Sequence, residues 1–566
     1  MTAALNAGAA ALFEQHRDLL ARATHACATR EYFSPFPETP DRYPDSAAAL
    51  ARGHATFQAL LGKPFDLDQP GEAGRLGDEV SPYTAAPLGI NYPRSDVDTL
   101  FRAAHAALPA WAEAGPDARV GVCLEIVQAL YAELPVLLHA VMHTAGQSYA
   151  MSYAGSGTNA LDRGIEAIVY AHQAMSAVAP SALWERRFGS ATIRLQKNYR
   201  LVPRGVAVCF TCATFPTWNA YPAMLASLAT GNAVIVKPHP TGILPMALSV
   251  RVARRVLADA GFDPNLVTLA VDSAAEPLGK RLVNHPQTAI VDFTGSARFG
   301  AWVEQNAYPA LCYTETSGVN TVILESVREL EPVARSLATT MHLFSAQMCT
   351  SPQNIYIPRG GIDVDGRRAS VDEVCEALAA AYRGVTADPK RAASILAAIQ
   401  SPSTLELVGS MREAGARLGS IVVDSAPYAH PDYPSARTAS PVLLRVKPDA
   451  RELYCEERFG PIGFVIETDD ADAALAAATS DVRAAGGITA FAYSTRERFL
   501  AAAESAYAVA GAQLTCNLTG AMPLNFAASY SDYHVTGLNP AGNATLTDAS
   551  FVAARFRIAQ SRRPVA

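Results

Sequence analysis

Residues 288–300 read TAIVDFTGSARFG. The apolar run at its start is rich in β-branched residues and predicts a short strand over 288–293. Gly295 and Ser296 then open a segment that has the character of a helix start. The stretch therefore predicts a strand that passes directly into a helix, which is the repeating unit of an alternating α/β fold.

The same alternation continues on both sides of this stretch. Three further apolar runs precede it, at 205–211, 233–237 and 266–271. Strands that alternate with helices and are apolar along their whole length predict a doubly wound parallel sheet. Another alternating set, which predicts a second α/β domain, lies at 320–326, 354–359 and 460–467.

The N-terminal part follows a different pattern. Helices are predicted over 1–30, 46–62, 96–114 and about 119–142. Pro109 indicates a kink or an early stop in the third of these helices. The Pro- and Gly-rich stretch 62–95 predicts irregular chain on a surface. Residues 191–204 alternate apolar and polar side chains, which predicts an exposed antiparallel strand able to pair with another chain.

Composition and charge narrow the class of protein. The chain has 566 residues, of which 50% are hydrophobic and 17% charged, and this length predicts two or three domains. A formal charge of −7 offers no basic face, so nucleic acid is not expected as a partner. The nine scattered cysteines are typical of reduced thiols. With no signal peptide and no apolar run of membrane length, we expect a cytoplasmic protein without membrane contact.

Several common site signatures are absent from the sequence. It contains no GxGxxG, Walker A or GxSxG motif. Cys209 and Cys212 lie in an apolar strand without a second Cys or His pair, so we expect neither zinc nor another metal. Glu456 and Glu457 are adjacent, and neighbouring carboxylates usually diverge, which argues against glycosidase chemistry.

Five short motifs remain, in the order VIVKP (234–238), FTGSARFG (293–300), TETSG (314–318), QMC (347–349) and EERFGP (456–461). At Gly295 and Ser296 the helix start offers free backbone N–H groups and a positive dipole end, which favour a phosphate. Taken alone, Cys349 is more typical of a buried core cysteine than of a nucleophile.

Together the five motifs resemble the aldehyde dehydrogenase superfamily over roughly residues 96–525. The spacing of 34 residues between Glu315 and Cys349 agrees with that family's general base and nucleophile. The long N-terminal extension and the stretches GDEVSPYTAAPLGINYP, TFPTWNAYPAMLASLATGNAVIVKPHP and QMCTSPQN are most similar to its phenylacetic-acid-degradation (PaaN-type) branch. The resemblance implies an α/β fold with a Rossmann-type parallel-sheet cofactor domain, an α/β catalytic domain and a small β oligomerisation extension.

The resemblance also implies boundaries for these parts. The helical extension and cofactor domain are expected at 1–185 and 205–312, the catalytic domain at 313–512, and oligomerisation segments at 186–204 and 513–566. The stretch 512–544 is similar to the family's closing region, which helps line the substrate mouth and contributes to oligomer contacts. We therefore expect a homodimer or a dimer of dimers.

Each role that the resemblance implies has a chemical reason. Cys349 is implied as the nucleophile, and Glu315 as the base that activates it and later activates a water. The residues implied to hold the cofactor are Lys237, Pro238, Phe293, Thr294, Gly295, Ser296, Gly300, Glu457 and Phe459. Three alternatives stay open: Lys237 as a solvated strand end, Glu457 as half of a surface acidic pair, and Glu315 as a structural carboxylate.

The sequence departs from the family pattern in three places. Most members hold the oxyanion with an Asn, but counting back from Lys237 places Thr214 there, and Asn219 fits only with a shifted alignment. Losing such a donor costs about 2.7–4 kcal/mol, so a slow enzyme is expected. Pro240 stands where many NAD-preferring members carry Glu, which favours NADP. TETSG replaces the more usual Glu-Leu-Gly-Gly and adds bulk there.

The implied activity is the NAD(P)-dependent oxidation of a small aldehyde to the acid through a cysteine thiohemiacetal and a thioester. The expected substrate comes from phenylacetate or other aromatic degradation and includes a semialdehyde carried as a CoA thioester. Two alternatives remain open. One is a thioester hydrolase or acyl-transfer enzyme using the same Cys and Glu pair, and the other is a catalytically weakened cofactor-binding protein.

Overall fold

The computed structural model describes residues 2–520 and 549–565. The chain begins with three helices, α1 (Thr2–Gln15), α2 (Arg17–Thr29) and α3 (Ser46–Leu60). The helices predicted over 1–30 and 46–62 are therefore confirmed. Part of the predicted closing region, residues 521–544, lies outside the described residues.

The stretch 62–95 is not irregular throughout. It contains two short strands, β1 (Glu72–Leu76) and β2 (Tyr92–Ser95), which pair antiparallel with a register shift between Glu72 and Arg75. The prediction of irregular chain was wrong for these strands. They are too short to show alternation, and Gly74 and Pro93 interrupt them.

A group of helices follows: α4 (Val97–Glu113), α5 (Pro116–Ala132), α6 (Leu134–Ala145), α7 (Tyr149–Tyr153) and α8 (Asn159–Ser176). Helix α4 continues past Pro109 to its end, so the early stop does not occur. The single helix predicted over about 119–142 is two helices, α5 and α6, which bend by 72°. In the part of the chain that the structure describes, no single helix is long and apolar enough to cross a membrane, and α5 and α6 pass that test only as a bent pair.

A three-stranded antiparallel sheet extends from this region, formed by β3 (Ser181–Phe188), β4 (Ala191–Pro203) and β20 (Phe556–Pro564), in the order β20-β4-β3. The predicted strand over 191–204 is confirmed as β4. Its expected pairing with another chain is wrong for β4 itself, because β3 and β20 of the same chain occupy both of its edges.

The first predicted α/β set forms a five-stranded sheet in the order β7-β6-β5-β8-β9, with every neighbouring pair parallel. Its strands are β5 (Val206–Phe210), β6 (Ala233–Lys237), β7 (Val267–Leu269), β8 (Thr288–Thr294) and β9 (Leu311–Glu315). The helices between them are α9 (Pro216–Ala229), α10 (Ile243–Asp259), α11 (Gly279–Val283) and α12 (Ala297–Asn306). Since β6 and β8 flank β5 on opposite sides, a crevice opens at the carboxyl ends of these strands.

The second set forms a seven-stranded sheet in the order β15-β16-β17-β12-β10-β18-β19. Its strands are β10 (Asn320–Leu324), β12 (Pro352–Pro358), β15 (Gly419–Val423), β16 (Val442–Val446), β17 (Ile462–Thr468), β18 (Thr489–Tyr493) and β19 (Gln513–Cys516). A small sheet is built from β11 (Ser326–Val327), β13 (Ile362–Val364) and β14 (Arg367–Ala369). The strands predicted at 320–326, 354–359 and 460–467 are confirmed as β10, β12 and β17.

Helices cover this second sheet, and one more follows it along the chain. They are α13 (Leu330–His342), α14 (Val371–Thr386), α15 (Pro389–Ile395), α16 (Pro402–Leu418), α17 (Arg451–Tyr454), α18 (Ala471–Ala485), α19 (Glu497–Ala510) and α20 (Ala549–Ala553). Helix α14 begins with a complete capping box, in which Ser370 and Glu373 each bond the backbone N–H of the other.

A buried ion pair joins the C-terminal segment to the five-stranded sheet. Arg555 donates two hydrogen bonds to the Asp292 carboxylate in β8, at 2.9 and 2.6 Å, and both side chains are fully buried. Arg555 also bonds Ser227 Oγ at 2.7 Å, and its guanidinium lies 3.9 Å from the ring centre of Phe551. The fork geometry satisfies both carboxylate oxygens, so Asp292 is tolerated at the centre of an apolar strand.

We expect Arg555→Met to destabilise the protein by about 3–5 kcal/mol, because it leaves the Asp292 charge buried and unpaired. The matched control is Arg335→Met, which removes an exposed pair with Glu331 and should cost about 0.5 kcal/mol or less. Thermal and urea unfolding followed by circular dichroism measure both variants. Equal stability of the two variants would contradict the importance of the buried pair.

Candidate active site

One cavity of about 1380 Å³ lies at the carboxyl ends of the five-stranded sheet and extends to the second sheet. Eleven of the thirteen site residues predicted from the sequence line it: Thr214, Asn219, Lys237, Phe293, Thr294, Gly295, Ser296, Glu315, Cys349, Glu457 and Phe459. Pro238 and Gly300 do not line it. The chain thus brings together residues that are up to 245 positions apart, between Thr214 and Phe459.

Cys349 follows a left-handed turn that comes directly after α13. Phe344, Ser345 and Ala346 have φ values of 54°, 52° and 52°, which non-glycine residues rarely adopt. Ser345 Oγ holds the turn by donating to the Leu396 carbonyl at 2.8 Å. Such strain persists only where the surroundings over-determine it, and it is frequent at functional sites.

Two amide side chains fix the nucleophile loop. Asn320 Nδ2 donates to the carbonyl of Cys349 at 2.8 Å and to that of Ser351 at 2.9 Å. Its Oδ1 accepts from the backbone N–H of Ile488 at 2.8 Å. Gln347 donates to the Ala398 carbonyl at 3.0 Å in the same region. The sequence analysis missed Asn320, although an Asn at the first position of a buried apolar strand is a detectable signal.

The Glu315 carboxyl ends β9 and faces the Cys349 thiol. Burial raises the pKa of Glu315 to about 7, and Cys349 and the more distant Arg163 guanidinium oppose that shift. Burial, followed by the charge of Glu315, raises the pKa of the Cys349 thiol well above its ordinary range. The pair therefore holds its proton on sulfur at rest, and a base of pKa near neutrality lies beside that sulfur.

Glu457 is the second carboxyl beside the thiol. Burial and then the nearby Glu315 charge raise the pKa of Glu457 to about 8, while the Gly318 N–H opposes the shift. Its neighbour Glu456 is exposed and pairs with Arg458 at 3.0 Å. Both glutamates line the cavity, but Glu456 is exposed, whereas the charge of Glu457 acts on the Cys349 thiol.

Two glycines, Gly300 and Gly318, make room around the segment TETSG, which is bulkier than the Glu-Leu-Gly-Gly that is usual in the family. A Cβ on Gly300 would lie 2.1 Å from Thr316 Cγ2, so the close contact of α12 with the Thr316 side chain requires glycine there. A Cβ on Gly318 would lie 2.3 Å from the Cys349 carbonyl oxygen. Gly300 therefore serves the close packing of α12 against Thr316.

Thr214 and Asn219 both line the cavity. Thr214 is in the loop before α9, where its carbonyl accepts from Gln147 Nε2 at 2.7 Å. Asn219 is on α9 and directs Nδ2 toward Cys212 Sγ at 3.7 Å. The Cys212 thiol also contributes to the raised pKa of Cys349, so it lies close to the nucleophile. The loop thus offers a hydroxyl, from Thr214, and α9 offers an amide, from Asn219, as candidate oxyanion donors.

The opposite end of the cavity has the features of a nucleotide pocket. Lys237 Nζ lies 2.7 Å from Asp272 Oδ1, and both side chains are almost fully buried on the cavity wall. The N-terminus of α12 opens there, capped by the Ser296 hydroxyl that accepts from the Phe299 N–H at 3.4 Å. A buried donor and acceptor pair suits ribose hydroxyls, and a helix N-terminus suits a phosphate, so these residues fit a nicotinamide dinucleotide. Sequence analysis missed Asp272, which follows an apolar run without a motif.

Comparison with known proteins agrees with this site. A model of the aldehyde dehydrogenase family matches residues 72–521. The chain is similar to a solved structure described as an NAD-dependent aldehyde dehydrogenase from Burkholderia multivorans. The two share 43% identity and a TM-score of 0.93, over 98% of this chain and 99% of the other.

Two curated relatives are more distant. 1-Pyrroline-5-carboxylate dehydrogenase 2 of Halalkalibacterium halodurans is 22% identical over 498 residues, covering 84% of this chain and 90% of the relative. Vanillin dehydrogenase of Pseudomonas fluorescens is 26% identical over 438 residues, covering 75% of this chain and 81% of the relative.

The left-handed turn before Cys349 generates a stability prediction. Ala346→Gly should leave stability within about 1 kcal/mol of the wild type, because relief of about 1–2 kcal/mol of strain offsets the lost methyl group. Ala338→Gly, at a buried position inside α13, should cost about 2 kcal/mol, since it loses a methyl group and helix propensity. Unfolding midpoints of the two variants measure the difference, and a larger loss for Ala346→Gly would refute strain at this turn.

Proposed function

The chain belongs to the aldehyde dehydrogenase family and is an NAD(P)-dependent aldehyde oxidoreductase, and we propose that it oxidises an aldehyde derived from aromatic degradation to the acid. The observation that carries the proposal is the Cys349 thiol facing the Glu315 carboxyl in a cavity that also reaches the Lys237 and Ser296 pocket. Nucleophile, base and nucleotide pocket therefore share one space.

The first step is the activation of Cys349. Glu315 removes the proton from Sγ, and the thiolate forms a C–S bond with the aldehyde carbon while the carbonyl electron pair moves to oxygen. A pKa of about 7 leaves a useful fraction of Glu315 ionised at neutral pH. Thr214 Oγ1 or Asn219 Nδ2 stabilises the resulting oxyanion.

When bound, the nicotinamide ring supplies the acceptor for the hydride that leaves the aldehyde carbon. The residues proposed to hold the cofactor are Lys237 and Pro238 on one strand end, the turn Phe293–Ser296 before α12, and Glu457 with Phe459 near the thiol. Pro238 and Gly300 do not line the cavity, so any role for them in cofactor binding is indirect, and for Gly300 it is the packing of α12 against Thr316.

The second half of the reaction releases the acid. After Glu315 has released the proton of the thiol to solvent, it accepts a proton from a water whose oxygen attacks the thioester carbon at Cys349. The C–S bond then breaks with its electron pair on sulfur, and Glu315 returns its proton to that sulfur to regenerate the thiol. The same base thus acts twice, which suits a carboxyl that can exchange protons near neutrality. The base role falls to Glu315 rather than Glu457, because Glu315 is the carboxyl that hydrogen-bonds the Cys349 thiol.

An aromatic aldehyde is the substrate class that we favour. Phe215 and Trp218 line the cavity, and Phe215 makes an edge contact with Phe344 at 5.6 Å between ring centres. The similarity to a vanillin dehydrogenase supports the same class. The similarity to a 1-pyrroline-5-carboxylate dehydrogenase supports 1-pyrroline-5-carboxylate instead, so this compound belongs in the substrate panel beside aromatic aldehydes.

A homo-oligomer is also part of the proposal. The extended sheet of β3, β4 and β20 exposes four large apolar side chains, Leu183, Phe188, Ile193 and Ile558. Within residues 2–520 and 549–565, no strand pairs with the outer edges of β3 and β20, because β4 lies between these two strands. A dimer or a dimer of dimers built on this sheet would cover the apolar side chains.

The cofactor preference stays a proposal as well. Pro240 lacks the carboxylate that repels a 2′-phosphate, and this was the reason to favour NADP. The described NAD dependence of the Burkholderia multivorans protein supports NAD.

Replacement of the nucleophile tests the proposal directly. Cys349→Ala should abolish aldehyde-dependent reduction of NAD or NADP, with a loss of at least about 10³-fold, while Cys212→Ala should keep the enzyme measurable. Absorbance at 340 nm across aromatic aldehydes and semialdehydes provides the assay. Turnover of a thioester without any nicotinamide would favour the hydrolase alternative, and no turnover of any aldehyde would favour a binding protein.

The pKa of Glu315 predicts the pH dependence. Because Glu315 must be ionised to accept a proton, the rate constant at saturating substrates should rise with pH through about 7 and then level off. The Glu315→Gln variant should lose most of its activity and should no longer show the rise of the rate constant with pH. The Glu457→Gln variant should still show that rise near pH 7. If the rate constant of Glu315→Gln still rises with pH through about 7, another group is responsible for this pH dependence.

A further inference from the structure

We propose that Asp272 makes this chain select NAD over NADP, by accepting a hydrogen bond from the adenosine-ribose 2′-hydroxyl and by repelling a 2′-phosphate. The inference rests on the proposed function, since it concerns the cofactor of the same site. It reverses the preference drawn from Pro240 and assigns the choice to a residue outside the sequence motifs.

The position of Asp272 follows from the order of the strands. It lies just beyond β7, whose neighbour β6 ends at Lys237. The carboxyl ends of neighbouring parallel strands meet at one edge of the sheet, so the two side chains converge. Asp272 and Pro240 line the same cavity wall. The carboxylate missing at Pro240 is thus supplied from the next strand.

The carboxylate is held in place from two sides. Asp272 Oδ2 accepts from the backbone N–H of Leu278 at 2.8 Å, and Oδ1 lies 2.7 Å from Lys237 Nζ. Asp272 is only 2% exposed, so it has no freedom to turn away from a ligand. Each carboxylate oxygen has two lone pairs, which leaves acceptor capacity for a ribose hydroxyl.

The local charges favour a neutral ligand group. The charge of Lys237 is paired with Asp272, so a phosphate entering there gains little attraction from Lys237 and must place its negative charge beside the buried carboxylate. The other cations on this part of the wall, Lys280 and Arg298, are exposed, and water and salt screen them more strongly than the buried carboxylate. A 2′-hydroxyl adds no charge and matches both the donor and the acceptor.

The test compares binding of NAD and NADP to the full-length protein by isothermal titration calorimetry and by thermal shift, without aldehyde. The wild type should bind NAD about tenfold or more tightly than NADP, since like charges in contact are strongly unfavourable. Asp272→Asn keeps the shape and an acceptor for the Leu278 N–H but removes the charge. It should reduce the ratio of affinities by about tenfold or more, mainly through tighter binding of NADP.

Glu276→Gln is the matched control. Glu276 lies in the same loop, but it does not line the cavity and pairs with Arg94 at 2.5 Å. The ratio of NAD to NADP affinity should not change in this variant. A ratio that is equal in wild type and Asp272→Asn, or a wild type that prefers NADP, would overturn the role of Asp272 while leaving the dehydrogenase function intact.

A second measurement needs no variant, so it tests the role of Asp272 even if Asp272→Asn does not fold. Adenosine 5′-monophosphate should bind the wild type about tenfold or more tightly than adenosine 2′,5′-bisphosphate, which carries the additional 2′-phosphate. Equal or reversed affinities would overturn the proposal. A wild type that binds neither dinucleotide at millimolar concentration would overturn the proposed function itself, since any ligand of the native state must stabilise it.

Discussion

Four residues, 316–319, connect the two main sheets, and the active site depends on how short that connection is. Glu315 is the last residue of β9 in the five-stranded sheet, and Asn320 is the first residue of β10 in the seven-stranded sheet. A link of this length spans at most about 18 Å, so the two sheet ends must meet. The base comes from one side of the link and the clamp on the Cys349 carbonyl from the other.

The two ends of the cavity handle charge in opposite ways. Around Cys349 burial raises the pKa values of the thiol, Glu315 and Glu457. Burial at this end therefore favours the protonated, neutral form of each of the three groups. At the nucleotide end Lys237 and Asp272 are both buried, but each has an opposite charge within hydrogen-bond distance. Proton transfer at Cys349 and the recognition of the nucleotide at Lys237 and Asp272 therefore take place at separate ends of the cavity.

Sequence patterns predicted the strands well, because apolar runs such as 233–237 and 288–293 report burial on both faces of a sheet. Eleven of the thirteen candidate residues line one cavity, because Lys237, Thr294 and Glu315 end parallel strands of one sheet and the carboxyl ends of such strands lie at one edge. Sequence patterns missed Asp272 and Asn320, whose importance depends on partners supplied by other strands and loops. They also missed the left-handed turn, because Phe344, Ser345 and Ala346 include no glycine to signal a positive φ.

The pairing of Arg555 with Asp292 sets an order for vectorial synthesis. The two residues are 263 positions apart, and Asp292 immediately precedes the turn that starts at Phe293. The ribosome synthesises all strands of the five-stranded sheet long before it synthesises Arg555, the residue whose charge neutralises Asp292 in the central part of that sheet. The nascent domain therefore remains electrostatically incomplete during the translation of the second sheet. Its final consolidation is a late, long-range event rather than an early local one.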